Sequence, residues 1–345
     1  ATDAAGLPAD AEAWLAWGTT AGVAVMTLPL LLPVARTGVR LRPTLSFPPG
    51  VARRAGALAG AGIATLLAQQ ASVLAVVKVS NSAGTTGTLN VFQYTQAVYL
   101  LPYAVLAVPL ATAAFPRLSS RAATGDVAGY ARTASATTRA VLLVALVGTV
   151  VLVAVAAPVA AFFERIDSGT VVNMGPALVA MAPGLLGFAL IAHVGRALYA
   201  LERGRAAATA TVTGWVVVVV TMSAAAVLAA EPADVVVWLG AANSVGMTVA
   251  AVLLLVALRR AAGASSVAGV PRTLAGAGVA ALAASVAGWW AGAALTDAFG
   301  AGALAAVGAG VAAAVVAAVV FAAGVVLLDR GSVREAAGLV RGKAS

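Results

Sequence analysis

The sequence predicts an all-α fold, a polytopic integral membrane bundle of about nine transmembrane helices. The first observation is composition, because 62% of the 345 residues are hydrophobic and only 10% are charged. A soluble globular domain carries about 25% charged residues. The second is a mean hydropathy of +1.01. The third is that the apolar residues form long runs, each of about the 20 residues that a helix needs to cross a bilayer.

Nine apolar runs are long enough to span a membrane. In chain order they lie near 13–35, 56–79, 89–115, 140–163, 172–201, 207–229, 235–258, 274–295 and 303–328. Cation-rich segments follow the first, third, fifth, seventh and ninth runs, whereas the other gaps hold at most one cation each. Most connections are short, except 36–54 and 116–139. Short connections between antiparallel spans predict one compact helical bundle.

The positive charges indicate the orientation of the chain. All but two of the 21 Lys and Arg residues lie in every second gap or in the C-terminal tail, the exceptions being Lys78 and Arg165. Cytoplasmic segments of membrane proteins carry an excess of Lys and Arg. The N-terminus is therefore predicted to lie outside the cell and the C-terminus in the cytoplasm.

Several function classes are disfavoured by composition and by missing motifs. The net charge of +9 would suggest nucleic acid for a soluble protein, but these cations flank apolar runs, so membrane lipid headgroups are their expected partners. The sequence has no Cys and one His, His193, which argues against a thiolate or histidine metal site. It also lacks Walker, HExxH, dinucleotide-binding and Ser/His/Asp motifs. We therefore predict no enzyme activity, no cofactor, no metal and no nucleic-acid partner.

Polar side chains at membrane depth are the candidate substrate cavity, because each must face a cavity or a partner to offset its desolvation. The candidates are Gln69, Gln70, Lys78, Asn90, Gln93, Gln96 and Tyr99. Gln93 and Gln96 are three residues apart and therefore share one helix face. This spacing favours a polar cavity wall; the alternative is a set of interhelical hydrogen bonds that hold the bundle together.

Two ionisable residues and a set of prolines have further interpretations. Lys78 lies near the outer end of the second run, where it can snorkel to the interface or bind an anion at the mouth of a cavity. His193 lies three residues from Arg196, where it can pack between helices or relay protons. Prolines recur in the third and fifth runs, and they predict kinks whose freed carbonyls are satisfied by neighbouring helices.

Three segments of the chain resemble one known family. Residues 94–119, YTQAVYLLPYAVLAVPLATAAFPRLS, closely resemble the eighth transmembrane helix of the MurJ/MviN-type lipid II flippases. Residues 195–205, GRALYALERGR, and residues 17–23, WGTTAGV, are similar to two further segments of that family. The flippases belong to the multidrug/oligosaccharidyl-lipid/polysaccharide exporter superfamily.

The resemblance implies an organisation for the chain. Family members have fourteen helices and two cytoplasmic ends, so nine helices running from outside to inside correspond to helices six to fourteen of an N-terminally truncated chain. Residues 1–49 would then hold the last helix of the N-terminal lobe and an inter-lobe loop, and residues 50–262 the six-helix C-terminal lobe. Residues 263–328 would hold two additional helices, which form a lipid-tail groove in this family. Residues 329–345 would be a short basic cytoplasmic tail.

The resemblance also implies a function, that of an alternating-access lipid II flippase in the bacterial plasma (inner) membrane. Its substrate would be the undecaprenyl-diphosphate-linked peptidoglycan precursor, and its partners would be membrane lipids and cell-wall synthesis proteins. One position departs from the family pattern, because Ala97 stands where many members carry a cavity arginine. Two alternatives therefore stay open: a flippase for another polyprenyl-linked glycan, and a transport-inert scaffold of the cell-wall machinery.

Overall fold

The structure is a computed structural model that describes residues 9–36, 51–166, 171–299 and 302–328. The chain divides into two compact units, residues 1–54 and 55–345. In the first unit the structure describes α1, which runs over Ala9–Arg36 and contains Pro29 and Pro33. This helix coincides with the first predicted span.

The rest of the described chain is also helical. In chain order the helices are α2 (Val51–Ala83), α3 (Thr88–Pro102), a π-helical turn (Tyr103–Ala107), α4 (Val108–Ala123), α5 (Val127–Ala154), α6 (Ala156–Ile166), α7 (Met174–Met181), α8 (Gly184–Ala200), α9 (Gly204–Leu228), α10 (Val235–Ala262), α11 (Val270–Phe299) and α12 (Ala303–Leu328). Two short 3-10 turns, Pro232–Asp234 and Ala264–Val267, lie just before α10 and after it.

Within the described ranges, seven helical spans are long and apolar enough to cross a membrane, and the bent pair α7 and α8 makes an eighth if counted as one span. A shorter apolar stretch, Trp17–Pro33, lies in α1. The all-α, polytopic character predicted from the apolar runs is therefore confirmed. The orientation of the termini stays a prediction.

One predicted span was misplaced. The apolar pattern predicts the fourth span at 140–163, after a long connection over 116–139, but α4 continues to Ala123 and α5 already begins at Val127. The turn between them is tight, because Gly125 adopts a positive φ of 71° and the Asp126 side chain caps α5 by accepting a hydrogen bond from the Gly129 amide at 2.8 Å. Hydropathy marks only the part of a helix that lies in lipid, and here the helices extend beyond it.

The prolines of the third span produce a π-helical turn rather than a break. Pro102 and Pro109 each remove a backbone donor, and the residues between them shift to the wider hydrogen-bond pattern of a π-helix. The Val108 amide accordingly donates to the carbonyl of Tyr103, five residues earlier. The helix from Thr88 to Ala123 therefore continues through this segment as one span.

Pro183 breaks the next span, and a neighbouring helix satisfies the exposed backbone. The axes of α7 and α8 meet at 43°. The Ser244 hydroxyl of α10 lies 2.7 Å from the carbonyl of Ala180 and 2.9 Å from that of Met181. It also accepts a hydrogen bond from the Gly184 amide at 3.0 Å. The expectation that neighbouring helices satisfy a proline kink is met at this bend.

Glycine and alanine form the closest helix contacts. A Cβ added at Gly288 of α11 would lie 2.7 Å from the Ala154 Cβ of α5 and 2.8 Å from the Ala317 Cβ of α12. A Cβ added at Gly324 of α12 would lie 2.8 Å from the Ala280 Cβ of α11. Small residues let helices approach closely in lipid, where packing drives their association. The last two helices are held to α5 in this way.

The arginines that flank the helices converge at one end of the second unit, here named the basic rim. Its described members are Arg117, Arg121, Arg132, Arg139, Arg196, Arg203, Arg205, Arg259, Arg260 and Arg272.

The Tyr130 hydroxyl near the start of α5 donates to the carbonyl of Ala197 near the end of α8 at 2.7 Å. At the opposite end, the Asn173 amide donates to the carbonyl of Ala233 at 3.1 Å. The alternation of charge along the sequence therefore corresponds to two different ends of the bundle.

Candidate functional site: a central cavity and an apolar groove

A small cavity, here named the central cavity, lies between α2, α3, α9 and α10 and has a volume of about 70 Å³. Gln93 and Gln96, which share one helix face, both line it. The other lining residues are Ser72, Val73, Val76, Val77, Leu89, Phe92, Trp215, Met222 and Asn243. These positions lie towards the end opposite the basic rim, since Gln93 is near the start of α3 and Asn243 is near the start of α10.

Two buried polar groups meet beside this cavity. Tyr99 is only 2% exposed and Asn243 only 6%. The Asn243 side chain lies next to the Tyr99 hydroxyl without reaching hydrogen-bond geometry. In the described part of the chain, neither Tyr99 Oη nor Asn243 Nδ2 has a hydrogen-bond partner. Leaving such groups unsatisfied costs about 1–3 kcal/mol each, and a small adjustment of either side chain would pair the two with each other.

The other predicted cavity residues lie elsewhere on the surface of the second unit. Gln69, Gln70, Lys78 and Asn90 are exposed and are not part of the lining of the central cavity. Of the predicted set, the structure therefore places Gln93 and Gln96 in the lining and Tyr99 buried beside it, and leaves the four others outside. Whether those four contact a substrate stays a prediction.

Asn243 is the central-cavity residue that sequence reasoning missed. It lies inside the apolar run of α10, where Asn and the adjacent Ser244 interrupt a stretch of Val, Leu, Gly and Ala. A polar pair at membrane depth was the available signal. Ser244 satisfies the broken helix at Pro183, and Asn243 faces the cavity, so the pair serves two neighbouring elements.

Aromatic rings pack beside the central cavity. The ring of Phe188 packs edge-on against Tyr103 at 4.6 Å, Tyr99 at 6.3 Å and Trp215 at 6.4 Å. Tyr94 stacks on Phe163 at 4.9 Å on another face of α3. Edge-to-face contacts at these distances stabilise a fixed arrangement of rings. They hold α3, α8 and α9 in position around the polar side chains.

His193 is buried away from the central cavity. It is 1% exposed, and its Nε2 lies 3.1 Å from the Thr137 hydroxyl of α5. That hydroxyl also donates to the carbonyl of Thr133 at 2.8 Å, so it is placed to accept from the imidazole. Arg196 is close enough to interact with the ring electrostatically. This geometry matches the packing interpretation, in which His193 connects α5 and α8.

A second and much larger space, here named the apolar groove, has a volume of about 870 Å³. It lies between α11 and the helices α5, α7, α8 and α10. Its lining is apolar except for the hydroxyls of Thr149, Thr248 and Ser285, and Thr149 and Thr248 bond to helix carbonyls. Volumes of about 300–1,000 Å³ are typical of ligand sites. The groove suits a flexible hydrocarbon and offers no charge to a polar headgroup.

The described residues contain no cluster of three or more His, Asp or Glu side chains that could hold a metal ion. The site chemistry available is therefore hydrogen bonding by amides and a tyrosine, beside an apolar surface. Such an arrangement can bind and guide an amphipathic molecule.

The sequence model of the family described as "Lipid II flippase MurJ" matches residues 4–310. The chain belongs to this family. The fold agrees with a solved structure titled "Lipid II flippase MurJ, inward closed conformation", which is 16% identical and superposes with a TM-score of 0.50. The match covers 74% of this chain and 52% of that one, so the chain spans about half the length of the solved flippase.

Ala97 matters in a chain of the MurJ family, because it stands where the resemblance places a cavity arginine. Ala97 is exposed on α3, one residue after Gln96. Among the described lining residues of the central cavity, none is charged. The described lining of the central cavity thus combines uncharged hydrogen-bonding groups with apolar side chains.

Proposed function

We propose that this protein is a lipid II flippase of the bacterial inner membrane. It moves the undecaprenyl-diphosphate-linked disaccharide pentapeptide across the bilayer by alternating access, as one step of peptidoglycan synthesis. The observation that carries the proposal is the family match over residues 4–310. A small cavity that carries the amides of Gln93, Gln96 and Asn243, and a separate apolar groove, support it.

The polar headgroup would pass the wall formed by α3 and α10. Gln93 and Gln96 present amides that both donate and accept hydrogen bonds, and Asn243 and Tyr99 lie just behind them with unsatisfied polar atoms. A sugar or peptide would hydrogen-bond to the exposed amides of Gln93 and Gln96, while Tyr99 and Asn243 stay buried behind them. Selectivity would then come from hydroxyl and amide groups of the substrate.

The polyprenyl tail would lie in the apolar groove. Its walls include Leu282, 71% exposed, and Val286, 59% exposed, so the groove is open at the side. A tail can therefore enter from the bilayer without passing through the central cavity. Each buried CH₂ contributes about 0.8 kcal/mol in the transfer from water, but here the tail moves from lipid to protein, so the groove guides the tail more than it stabilises it.

The kinked helices support an alternating-access mechanism. The π-helical turn after Pro102 lies at the junction of α3 and α4, and the bend at Pro183 lies at the junction of α7 and α8. Broken helices near the substrate site are common in carriers of this kind. Both irregular segments are close to the ring of Phe188, which contacts Tyr103 and follows Pro183 in α8.

A second candidate function is a transport-inert scaffold of the cell-wall machinery, and Ala97 is the observation that favours it. A third is a flippase for another polyprenyl-linked glycan. Gain of transport by an Ala97→Arg variant would not separate these, because an added cation can bind any diphosphate. The nature of the lipid that accumulates does separate them.

The test is depletion of the complete gene that encodes this chain, followed by identification of the lipid-linked precursor that accumulates in the membrane. Accumulation of lipid II supports the proposal. Accumulation of a different polyprenyl-linked glycan, with lipid II unchanged, supports the third candidate and excludes the first. If no precursor accumulates while cell-wall proteins become mislocalised, the scaffold is supported instead.

A further inference from the structure

A cationic pocket lies between α9 and α10 at the basic rim, away from the central cavity and the apolar groove. Its volume is about 380 Å³. Arg203 and Arg260 contribute its charge, and Thr209 and Thr213 its hydroxyls. The remaining lining residues are apolar. We name this space the rim pocket.

The rim pocket exists because the two helices pack closely on one side of it and carry small residues beside it. A Cβ added at Gly214 would lie 2.5 Å from the Ala250 Cβ and 2.9 Å from the carbonyl oxygen of Gly246. Towards the basic rim the facing positions are alanines that cannot fill the space between the helices: Ala206, Ala210, Ala257 and Ala261. The pocket is therefore a consequence of the helix sequences and not of a loop conformation.

The guanidinium groups are the hydrogen-bond donors of this pocket. The Thr209 hydroxyl donates to the carbonyl of Ala206 at 3.1 Å, and the Thr213 hydroxyl donates to the carbonyl of Thr209 at 2.8 Å. Both hydroxyl protons are thus engaged within α9. Arg203 and Arg260 are exposed, and their planar forks match the oxygens of a phosphate group.

An exposed apolar face leads away from the rim pocket along both helices. On α9 the exposed residues Thr209, Thr213, Val216 and Val220 follow one another at helical spacing and so form one stripe. On α10 the exposed Val256 lines the rim pocket, and Val252, one turn away, borders the apolar groove; they are 39% and 54% exposed. A cationic site at the end of an apolar stripe has the shape and polarity of a bilayer phospholipid.

We propose that the rim pocket binds the phosphodiester headgroup of an anionic phospholipid, whose acyl chains lie along the valine stripe of α9 and α10. Basic pockets between transmembrane helices at a cytoplasmic surface bind such headgroups. A free phosphate ion offers the same oxygens, but it makes no use of the stripe.

The experiment uses the full chain in detergent and counts bound lipids by native mass spectrometry during titration with phosphatidylglycerol, with phosphatidylcholine as the uncharged reference. The test variant is Arg203→Gln with Arg260→Gln. Its matched control is Arg205→Gln with Arg259→Gln, which removes the same charge from neighbouring positions at the same ends of α9 and α10, exposed and outside the pocket lining.

The proposal predicts that the test variant binds phosphatidylglycerol about tenfold or more weakly than the parent, because two charged contacts are lost. The control should stay within about twofold of the parent. Equal losses in both variants would mean that net charge alone attracts the lipid and would overturn the proposal. So would equal binding of the two lipids by the parent, or displacement of phosphatidylglycerol by inorganic phosphate at equal concentration.

A second variant separates lost binding from lost folding. Arg203→Lys with Arg260→Lys keeps both charges and removes the forked geometry. It should retain more binding of phosphatidylglycerol than the glutamine pair while keeping the thermal unfolding profile of the parent. A lysine pair that binds as weakly as the glutamine pair contradicts an electrostatic headgroup site.

Discussion

The contact between α9 and α10 provides the sharpest stability prediction, at Gly246. A Cβ added there would lie 2.6 Å from the carbonyl oxygen of Gly214 and 2.8 Å from the backbone nitrogen of Val218, and it would also overlap the Val218 side chain. Two of these three contacts are with backbone, so rotation of a side chain cannot relieve them. The change Gly246→Ala therefore forces the two helices apart.

The magnitude follows from two opposing effects. Replacing glycine by alanine inside a helix stabilises it by about 1 kcal/mol. Forcing one extra carbon into a close-packed contact costs about 1–3 kcal/mol, and the upper part of that range applies because the contacts are with backbone. We expect the free energy of unfolding to fall by about 1–2 kcal/mol, the difference between these effects.

The assay is reversible unfolding of the full chain in mixed detergent micelles, followed by the loss of helical circular dichroism. The matched control is Gly308→Ala in α12, where an added Cβ meets no atom within 4 Å. This control should be as stable as the parent or slightly more stable. If Gly246→Ala unfolds with the same free energy as Gly308→Ala, the close packing of α9 on α10 is refuted.

Three other changes test the bend, the cavity and the groove. Ser244→Ala removes hydrogen bonds at the Pro183 bend and should lower the free energy of unfolding by about 1–3 kcal/mol. In the same micelle assay, Ser223→Ala, at an exposed position on α9, should change the free energy of unfolding little. Replacing Gln93 and Gln96 together by Ala should impair growth when the complete gene is the only flippase source, with unfolding unchanged; normal growth would show that the two amides only pack. Gly278→Trp, at a groove position with open space around it, should block the apolar groove and slow lipid II transport at parental stability, and unaffected transport would contradict a tail route through the groove.

The span pattern could be predicted from sequence because it follows from the physics of the bilayer. An apolar run of about 20 residues has few alternatives to a helix in lipid, and the arginine clusters separate one end of the bundle from the other. The shared face of Gln93 and Gln96 followed from helical spacing alone. Both amides line the central cavity; that the cavity takes a substrate stays a prediction.

Other features depend on contacts that the sequence does not reveal. The start of α5 at Val127 escaped prediction because its first turns lie outside the apolar run and are held by the Asp126 cap. Asn243 was missed because its role depends on Tyr99, which lies far away in the sequence. Lys78 lies on the exposed side of α2, and no pattern along a single helix indicates which face meets its neighbours.

Reconstitution of the complete protein with fluorescent lipid II in vesicles tests the central proposal most directly. A reductant that cannot cross the bilayer is added outside, and the fluorescence of the inner leaflet is followed. A lipid II flippase brings inner-leaflet lipid II to the outer surface, so the fluorescence should fall almost to zero, while a labelled phospholipid of the same bilayer stays protected. Protection of inner-leaflet lipid II equal to that in protein-free vesicles would contradict the proposal.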